Sequence, residues 1–589
     1  MARLVEYGVR DLFMISGGGA MHLVDSVGRN KKLKYLCPHH EQAAAIAAEG
    51  YARVSGKMGV VVVTSGPGGT NTLTGVIGQW LDSVPCLYLS GQVKFETTIA
   101  SSPELKLRQL GDQEINIVDI VKPVTKYAVM VKDPKTIRYH LEWAIYLATH
   151  GRPGPVWLDI PLNVQAALIE PAKLPGFKPP AAKRNGRLSA QLDRVAALIA
   201  RAKRPVIVAG NGIRLAGATK EFYRLARKLG FPLLATFNGF DLLPNDHPLY
   251  IGRIGTLGDR AGNFALQNAD LVLEIGTRNN IRQVSYNWRA FARAATKVVV
   301  DIDPAELRKP TVRPDLAIAA DAKEFISALD KKLGRTSRPE WLAWCRERRE
   351  RYPVVQPEYR TGNGPINPYH FVEALTAQLR PDDVVVAGNG TACVALFQAG
   401  QVKKGERHFW NSGCASMGYD LPAAIGAAVA RGGKRVICLA GDGSLQMNIQ
   451  ELQTLAHYRL PVKLFVLNNQ GYVSIKQTQD SFFGGHRVAC CPATGVSCPD
   501  STSVARGYGL KSAAINGRRG LSKQIARVLA QPGPVVCDVG LLADYHFAPK
   551  LSSARLPDGR LVSKPLEDLF PFLARDEFRR NMIVPEWRE

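Results

Sequence analysis

The sequence predicts an α/β protein of three consecutive domains, each built on a parallel sheet. Three observations carry this. First, short Val/Ile/Leu runs recur along the chain, as in MGVVVVTSG, RPVIVAGNG and LPVKLFVLNN. These runs are continuously apolar, not alternating, which suits strands covered on both faces. Second, longer stretches of helical periodicity separate them, the rhythm of helix–sheet–helix layers. Third, two Pro/Gly-rich stretches, EPAKLPGFKPPAAKRNGRL (170–188) and RYPVVQPEYRTGNGPINP (351–368), have linker composition and cut the chain into domain-sized pieces. The expected organisation is a first domain over 1–169, a central domain over 187–350, a third over 366–545 and a tail over 546–589.

The first domain carries the strand-like runs MGVVVVTSG and VPCLYLSG and closes on GRPGPVWLDIPL (151–162). The central domain carries RPVIVAGNG, ADLVLEIGT and TKVVVDIDP. The third carries RPDDVVVAGNG, VICLAGDGS and LPVKLFVLNN and closes on AQPGPVVCDVGL (530–541). The two closing segments read alike, a Pro-Gly-Pro turn into a strand bearing an Asp. Either such a common turn recurs by chance, or the first and third domains are diverged copies able to hold a ligand between the C-terminal edges of their sheets. The tail reads equally as a lid over a site or as a packing arm.

Bulk composition narrows the function. With 46% apolar and 22% charged residues the chain is an ordinary globular protein. No run approaches the ~20 apolar residues of a membrane span, and the first residues lack the pattern of a secretory signal, so a cytoplasmic protein is expected. The 76 Lys and Arg against 51 Asp and Glu give a net charge of +25. Those cations are scattered through helix-like stretches such as RPEWLAWCRERRERY, so an anionic small substrate or cofactor is expected in place of nucleic acid. The ten cysteines show no CxxC spacing, which argues against zinc.

The chemistry concentrates in VICLAGDGSLQMNIQELQTL. A buried strand ends at Ala440, the chain turns through Gly441-Asp442-Gly443-Ser444, and a helix with Leu445, Ile449 and Leu452 on its apolar face is expected to follow. A further strand, LPVKLFVLNNQGY, ends in Asn468-Asn469 with Gly471 two residues on. In a parallel sheet both strand ends share one edge. Asp442 then offers a carboxylate, Asn469 a side-chain carbonyl and Gly471 a backbone carbonyl, hard oxygen ligands suited to Mg²⁺ completed by phosphate oxygens and water.

The GDG segment followed by NN resembles the signature of thiamine-diphosphate-dependent enzymes. The resemblance covers essentially the whole chain, and SGGGAMHLVDS, HHEQAAAIAAEGYAR, VTSGPGGTNTLTGV, DSVPCLYLSGQV and MGYDLPAAIGAA are similar to the acetolactate synthase branch. It implies pyrimidine-binding, central and diphosphate-binding domains, in that order, and at least a homodimer, or a homotetramer, with the active site across the dimer interface. Thiamine chemistry needs a carboxylate at the pyrimidine, and Glu41, which opens an Ala-rich helix, matches it. Pro67 and Asn71 lie in the loop expected beside the pyrimidine, and Gln113 matches the glutamine near the reacting carbon. Ala415 would present its carbonyl to the cofactor's amino group and Met417 would bend the cofactor. Gly390, Thr391, Asp442, Gly443 and Ser444 would face the diphosphate, with Asp442, Asn469 and Gly471 on Mg²⁺.

Members of the family either hold FAD in the central domain or leave it empty. The resemblance to the synthases implies FAD, contacted by Arg278, Asp301 and Asp321. The implied reaction is decarboxylation of a 2-oxo acid such as pyruvate and transfer of the acyl unit to a carbonyl acceptor. This chain departs from the synthase pattern in three places: Thr391-Ala392 stand for a Gln-His pair, Lys476 for an acceptor-pocket tryptophan and Asp112 for a phenylalanine. The last two make a wetter acceptor site. The combination GAMHL, RQLGDQE, SIKQTQDSFFGG and DGRLVSKPLEDLFPFL resembles synthase-like carboligases that add a two-carbon unit to a keto-sugar nucleotide, and this resemblance implies that acceptor as the alternative to a second 2-oxo acid. A simple decarboxylase, or a binding protein that kept the fold, is the remaining alternative, and the presence of Glu41, Asp442 and Asn469 argues against the latter.

Overall fold

The computed structural model describes residues 1–181, 185–362, 364–555 and 559–588. The expected linkers include residues 182–184 and 363, which lie outside the described residues. The continuously apolar runs become parallel strands in three six-stranded sheets. In the first, β1 (Asp11–Met14), β2 (Lys34–Leu36), β3 (Gly59–Val63), β4 (Cys86–Gln92), β5 (Tyr127–Met130) and β6 (Pro155–Pro161) lie in the order β2-β1-β3-β4-β6-β5. The central sheet comprises β7 (Pro205–Ala209), β8 (Leu233–Ala235), β9 (Tyr250–Arg253), β10 (Leu271–Ile275), β11 (Thr296–Asp301) and β12 (Leu316–Ala319), ordered β12-β11-β10-β7-β8-β9. The third comprises β13 (Val384–Ala387), β14 (Arg407–Phe409), β15 (Val436–Gly441), β16 (Val462–Asn468), β17 (Lys511–Ile515) and β18 (Val535–Gly540), ordered β14-β13-β15-β16-β18-β17.

The third sheet thus repeats the strand order of the first, and the two Pro-Gly-Pro segments enter corresponding strands, β6 and β18. The central sheet has a different order, which read from its other edge is 3-2-1-4-5-6, the doubly wound arrangement of dinucleotide-binding folds.

By compactness the chain divides into two units. One comprises Met1–Ala181, Asp383–Cys393 and Arg407–Ala543 and holds the first and third sheets. The other comprises Ala182–Asp382, Val394–Glu406 and Asp544–Glu589 and holds the central sheet. In the first unit Val60, Val62, Leu87, Leu89, Val156 and Leu158 fill one core, each such side chain contributing about 1.5–3 kcal/mol by burial.

The two sheet domains of the first unit are joined by the helices Glu41–Ser55 and Asp420–Ala430. Their facing surfaces are alanine and glycine, which lets the backbones touch. A Cβ on Gly50 would lie 2.2 Å from the carbonyl oxygen of Ala423, and one on Gly426 would lie 1.8 Å from that of Ala47. The charges buried beside this joint are paired: Arg53 Nε donates to Glu49 (2.9 Å), Arg53 Nη2 to Asp82 (2.8 Å) and the Tyr419 hydroxyl to Glu49 (3.0 Å).

In the second unit the tail is a packing arm on its own sheet domain. Leu566 joins the core of Val206, Val272, Phe291 and Trp341. Glu567 accepts from Gln267 (2.5 Å) and from Arg293 (2.8 Å), and Asn268 donates to the carbonyl of Asn581 (3.0 Å).

Candidate active site

Strands β15 and β16 pair in parallel with Gly441 opposite Leu467, so Asp442 and Asn469 emerge at one sheet edge. Asp442 is buried. Its two oxygens accept from the backbone N–H groups of Gly443 (2.7 Å) and Gly471 (3.0 Å). Burial pushes its carboxyl above the ordinary range, while those N–H groups and the Lys476 ammonium act in the opposite direction. Gly471 has φ +116°, and a Cβ there would meet the Cys490 carbonyl oxygen at 2.3 Å, so only glycine fits.

Asn469 is buried as well. Its amide nitrogen donates to the Thr391 hydroxyl (2.9 Å), but its oxygen Oδ1 is buried with no hydrogen-bond partner. An unmet buried acceptor costs about 1–3 kcal/mol, and this one lies at the sheet edge that carries Asp442. Among the described residues no cluster of three or more His, Cys, Asp or Glu side chains could hold a metal. The donor set is one carboxylate with neutral oxygens, which suits a hard cation completed by phosphate and water. The residues present fit Mg²⁺ with a diphosphate.

Two further loops close on this edge. Gly390 (φ +90°) and Thr391 follow β13, and Asn389 ties them to the Ser416 carbonyl (2.8 Å). Ala415 adopts φ +54° and Gly418 φ +77°, flanking the half-buried Met417. The Ser444 hydroxyl accepts from Gly418 N–H (2.9 Å) and donates to Asp420 (2.5 Å). Asp420, whose carboxyl burial pushes up to about 6, also packs where any side chain on Gly388 would sit, 2.2 Å from its Cβ position. Asp420 therefore knits three loops together, and sequence reasoning missed it. Its only sequence signal is an Asp opening an Ala-rich helix after Met417-Gly418.

On the first sheet, Glu41 is the first residue of its helix and accepts from the Asn71 amide (2.9 Å). Pro67 opens the short helix Pro67–Thr70 after Gly66 (φ +60°). Gln113 is exposed with φ +59°, and its carbonyl oxygen lies 2.6 Å from the Cβ position of Gly66, which binds the two loops closely. Glu114, also missed, is buried and gathers the N–H groups of Ile99 (2.5 Å), Leu110 (2.8 Å) and Gly111 (3.2 Å), folding the loop that leads to Gln113.

The single helix expected after Gly443 is in fact two, Asp442–Gln446 and Glu451–Tyr458. The break serves tertiary contacts. Asn448, inside it, donates to the Gly418 carbonyl (2.7 Å) and to Gln42 (3.2 Å), the residue after Glu41. Glu451 accepts from His39 N–H (3.0 Å) and Thr454 (2.6 Å), and burial pushes its carboxyl up to about 7. The turn bearing Glu41 and the loop bearing Met417 thus meet within one chain.

In the second unit, the loops after β7 and β10 meet where the strand order reverses. Gly212 N–H donates to the Gly276 carbonyl (3.0 Å), and a Cβ on Gly210 would lie 2.1 Å from it. Asn211 Oδ1 is buried there without a partner, and Arg278 (φ +62°) and Asn279 (φ +47°) bend the second loop. Asp301 accepts from Asp303 N–H (2.9 Å) at the end of β11. Asp321 caps the helix Ala322–Lys332, accepting from Lys323 (2.8 Å) and Glu324 (3.2 Å) N–H groups. The switch-point loops and the orphaned Asn211 oxygen fit a dinucleotide, whereas the Asp321 carboxylate already serves its own helix.

Comparison with known proteins places the chain in a family. The N-terminal TPP binding domain of the thiamine pyrophosphate enzymes matches residues 1–118, the central domain residues 192–329 and the C-terminal TPP binding domain residues 388–539. The chain belongs to this family and is an enzyme dependent on thiamine pyrophosphate (thiamine diphosphate). Within it, the chain is similar to acetolactate synthases. It is 34% identical to the probable acetolactate synthase 2, chloroplastic, of Oryza sativa subsp. japonica, over 93% of this chain and 83% of that one. It is 32% identical to the acetolactate synthase large subunit of Lactococcus lactis subsp. lactis, over 93% and 92% respectively. It is 34% identical to the probable acetolactate synthase large subunit of Methanocaldococcus jannaschii, over 90% and 89%. Among the described residues no helix is long and apolar enough to cross a membrane.

Proposed function

We propose that this protein is a Mg²⁺- and thiamine-diphosphate-dependent carboligase that decarboxylates a 2-oxo acid such as pyruvate and transfers the acyl unit to a carbonyl acceptor. The observation that carries the reading is the partnerless Asn469 Oδ1 at the edge it shares with the buried Asp442. Asp442, Asn469 and the Gly471 carbonyl would hold the metal, and Gly390, Thr391, Gly443 and Ser444 would face the diphosphate. Ala415 and Met417 would orient the rings, with Pro67 beside them. Glu41, steadied by Asn71, would hold a proton at the pyrimidine nitrogen. Bound thiamine diphosphate supplies the nucleophilic carbon that makes decarboxylation of a 2-oxo acid possible. Gln113 would then face the substrate.

FAD in the second unit is part of this reading, supported by the doubly wound strand order and by Asn211, with Arg278, Asp301 and Asp321 as its contacts. So is a cytoplasmic homodimer or homotetramer with its site across a subunit boundary. The exposed Leu105, Leu107 and Leu110 on the loop leading to Gln113 support a second copy there. The test is CO₂ release from pyruvate by the purified protein with thiamine diphosphate and Mg²⁺, repeated with Asp442→Ala. Wild-type release that the variant loses supports the reading, and no release by the wild type defeats it.

A second reading changes only the acceptor, to a keto-sugar nucleotide. It is favoured by Lys476, a buried cation whose ammonium donates to the carbonyls of Ala543 (3.1 Å) and Asn469 (3.3 Å), in place of an aromatic wall. Efficient acetolactate formation from pyruvate alone would exclude it.

A further inference from the structure

The second unit contains a cavity of about 260 Å³, lined by arginines and distinct from the loops after β7 and β10. Arg253, at the end of β9, is only 2% exposed. Its guanidinium donates to the carbonyls of Phe397 and Gly400 and rests over the rings of Phe240 (5.2 Å) and Phe397 (5.8 Å), while its buried Nε has no partner. Arg349, from the helix Pro339–Arg351, donates to the carbonyls of Tyr250 (2.8 Å) and Asn245 (2.7 Å). Each guanidinium carries five N–H donors, and only two of each are used in these bonds.

The charges on the wall do not balance. Arg360 is held by Glu373 in a two-pronged pair (2.9 and 2.7 Å), a neutral unit. Asp259 is the remaining carboxylate on the wall, and its oxygens accept from the backbone N–H groups of Gly262 (2.6 Å) and Arg253 (2.8 Å). No carboxylate of the described residues forms an ion pair with Arg253 or Arg349. Two guanidiniums therefore face one carboxylate, whose own ionisation burial opposes. Arginine cannot shed its proton, and a buried charge without a counter-charge is unfavourable. Guanidinium N–H pairs match the oxygens of phosphate or carboxylate in two-pronged bonds. At about 260 Å³ the cavity is smaller than the ~300–1,000 Å³ of pockets for drug-sized ligands, which suits a small anion and not a dinucleotide.

We propose that this cavity is a binding site for a small phosphate-bearing anion, held by Arg253 and Arg349 and balanced by Asp259. The inference is independent of the reaction proposed above. It is tested by calorimetry on the full-length protein saturated with thiamine diphosphate and Mg²⁺, so that the diphosphate loops are not available to the probe. One arm titrates inorganic phosphate and a second titrates glycerol 3-phosphate, at low ionic strength with chloride as control. Saturable binding at one site per chain is expected. Arg349→Met should weaken it at least tenfold, and Asp259→Asn, which removes the competing charge and keeps the acceptor oxygen, should tighten it severalfold. Tighter binding of the ester identifies a phosphorylated metabolite as the ligand, and equal binding identifies free phosphate. Absence of saturable binding in both arms overturns the proposal, as does an affinity that Arg349→Met leaves unchanged. Should Arg349→Met fail to fold, an unchanged affinity in Asp259→Asn overturns it alone.

Discussion

The first and third sheets have the same strand order, and their registers allow them to be compared residue by residue. Asp159 on β6 lies opposite Ser90 on β4, and Asp538 on β18 lies opposite Val466 on β16. Two residues beyond each partner stands an amide that donates back to the Asp: Gln92 to Asp159 (3.1 Å) and Asn468 to Asp538 (3.3 Å). Continuing the same correspondence, Val63 opposite Ser90 matches Ala440 opposite Val466, so Ser65 occupies the place of Asp442 and Val93 that of Asn469. The joining helices follow the same rule. Gly50 packs on Ala423 and Gly426 on Ala47, a reciprocal contact, and nine residues before each glycine stand Glu41 and Met417. Two copies of one framework thus carry different equipment. The third has a carboxylate and an amide oxygen at its edge, the ligands of the proposed metal. The first has a hydroxyl and a valine there, and offers Glu41 from the first turn of its helix.

The comparison breaks most sharply at Asp442. Asp442→Ser gives the third copy the residue of the first and removes the only carboxylate of the proposed metal set. Thiamine diphosphate binding and turnover should fall beyond the ~10–100-fold typical of changes around a metal's outer partners, whereas Ser65→Ala should leave metal-dependent cofactor binding, read by calorimetry, within a few-fold of wild type. Next in size is the helix joint. Gly426→Ala places a methyl 1.8 Å from a backbone oxygen, and a backbone cannot yield as a side chain tip can. A loss of about 3 kcal/mol in urea unfolding is expected. The reciprocal Gly50→Ala should cost a similar amount if the pseudo-symmetry is energetic as well as geometric. A smaller effect is expected for Asn448→Ala, which leaves the buried Gly418 carbonyl without its donor, about 2 kcal/mol. It should also raise the thiamine diphosphate concentration needed for half-saturation, because the Glu41 turn and the Met417 loop lose their shared bond.

The sequence made the layers and the shared strand edge of Asp442 and Asn469 legible because both depend on local signals. A buried strand is a continuous apolar run, and Asp442 and Asn469 each end one. The Pro-Gly-Pro turns also hinted at the repeat. What the sequence did not show depends on chain segments that meet only in the fold. Asp420 reaches Ser444 and crowds Gly388, and Glu114 collects N–H groups from Ile99 to Gly111. The helix after Gly443 illustrates the limit. Its periodicity runs unbroken through Ile449, yet Asn448 is drawn out to Gly418 and Gln42, and the tertiary bonds override the local preference. In the central domain the apolar runs marked a parallel sheet, but its doubly wound order depends on which strands pair, and that is set only in the fold.

The mildest test concerns the paired aspartates. Asp159 is fully buried and held by the Ser90 hydroxyl (2.6 Å) and Gln92, and burial pushes its carboxyl from the ordinary value near 3.8 up to about 7. Between those two values the folded protein keeps a proton that the unfolded chain has released. The folded state binds more protons there, so stability falls as pH rises through that window and stays low above it. The slope contributed by one such group is at most about 1.4 kcal/mol per pH unit. Asp159→Asn keeps an acceptor oxygen toward Ser90 and cannot ionise, so its urea midpoint measured from about pH 4 to 7 should decline less steeply than that of the wild type. Parallel curves would mean that Asp159 is already ionised in the folded protein. In that case the buried carboxylate inside β6 of the first sheet is held as a charged anchor by its hydroxyl and amide partners.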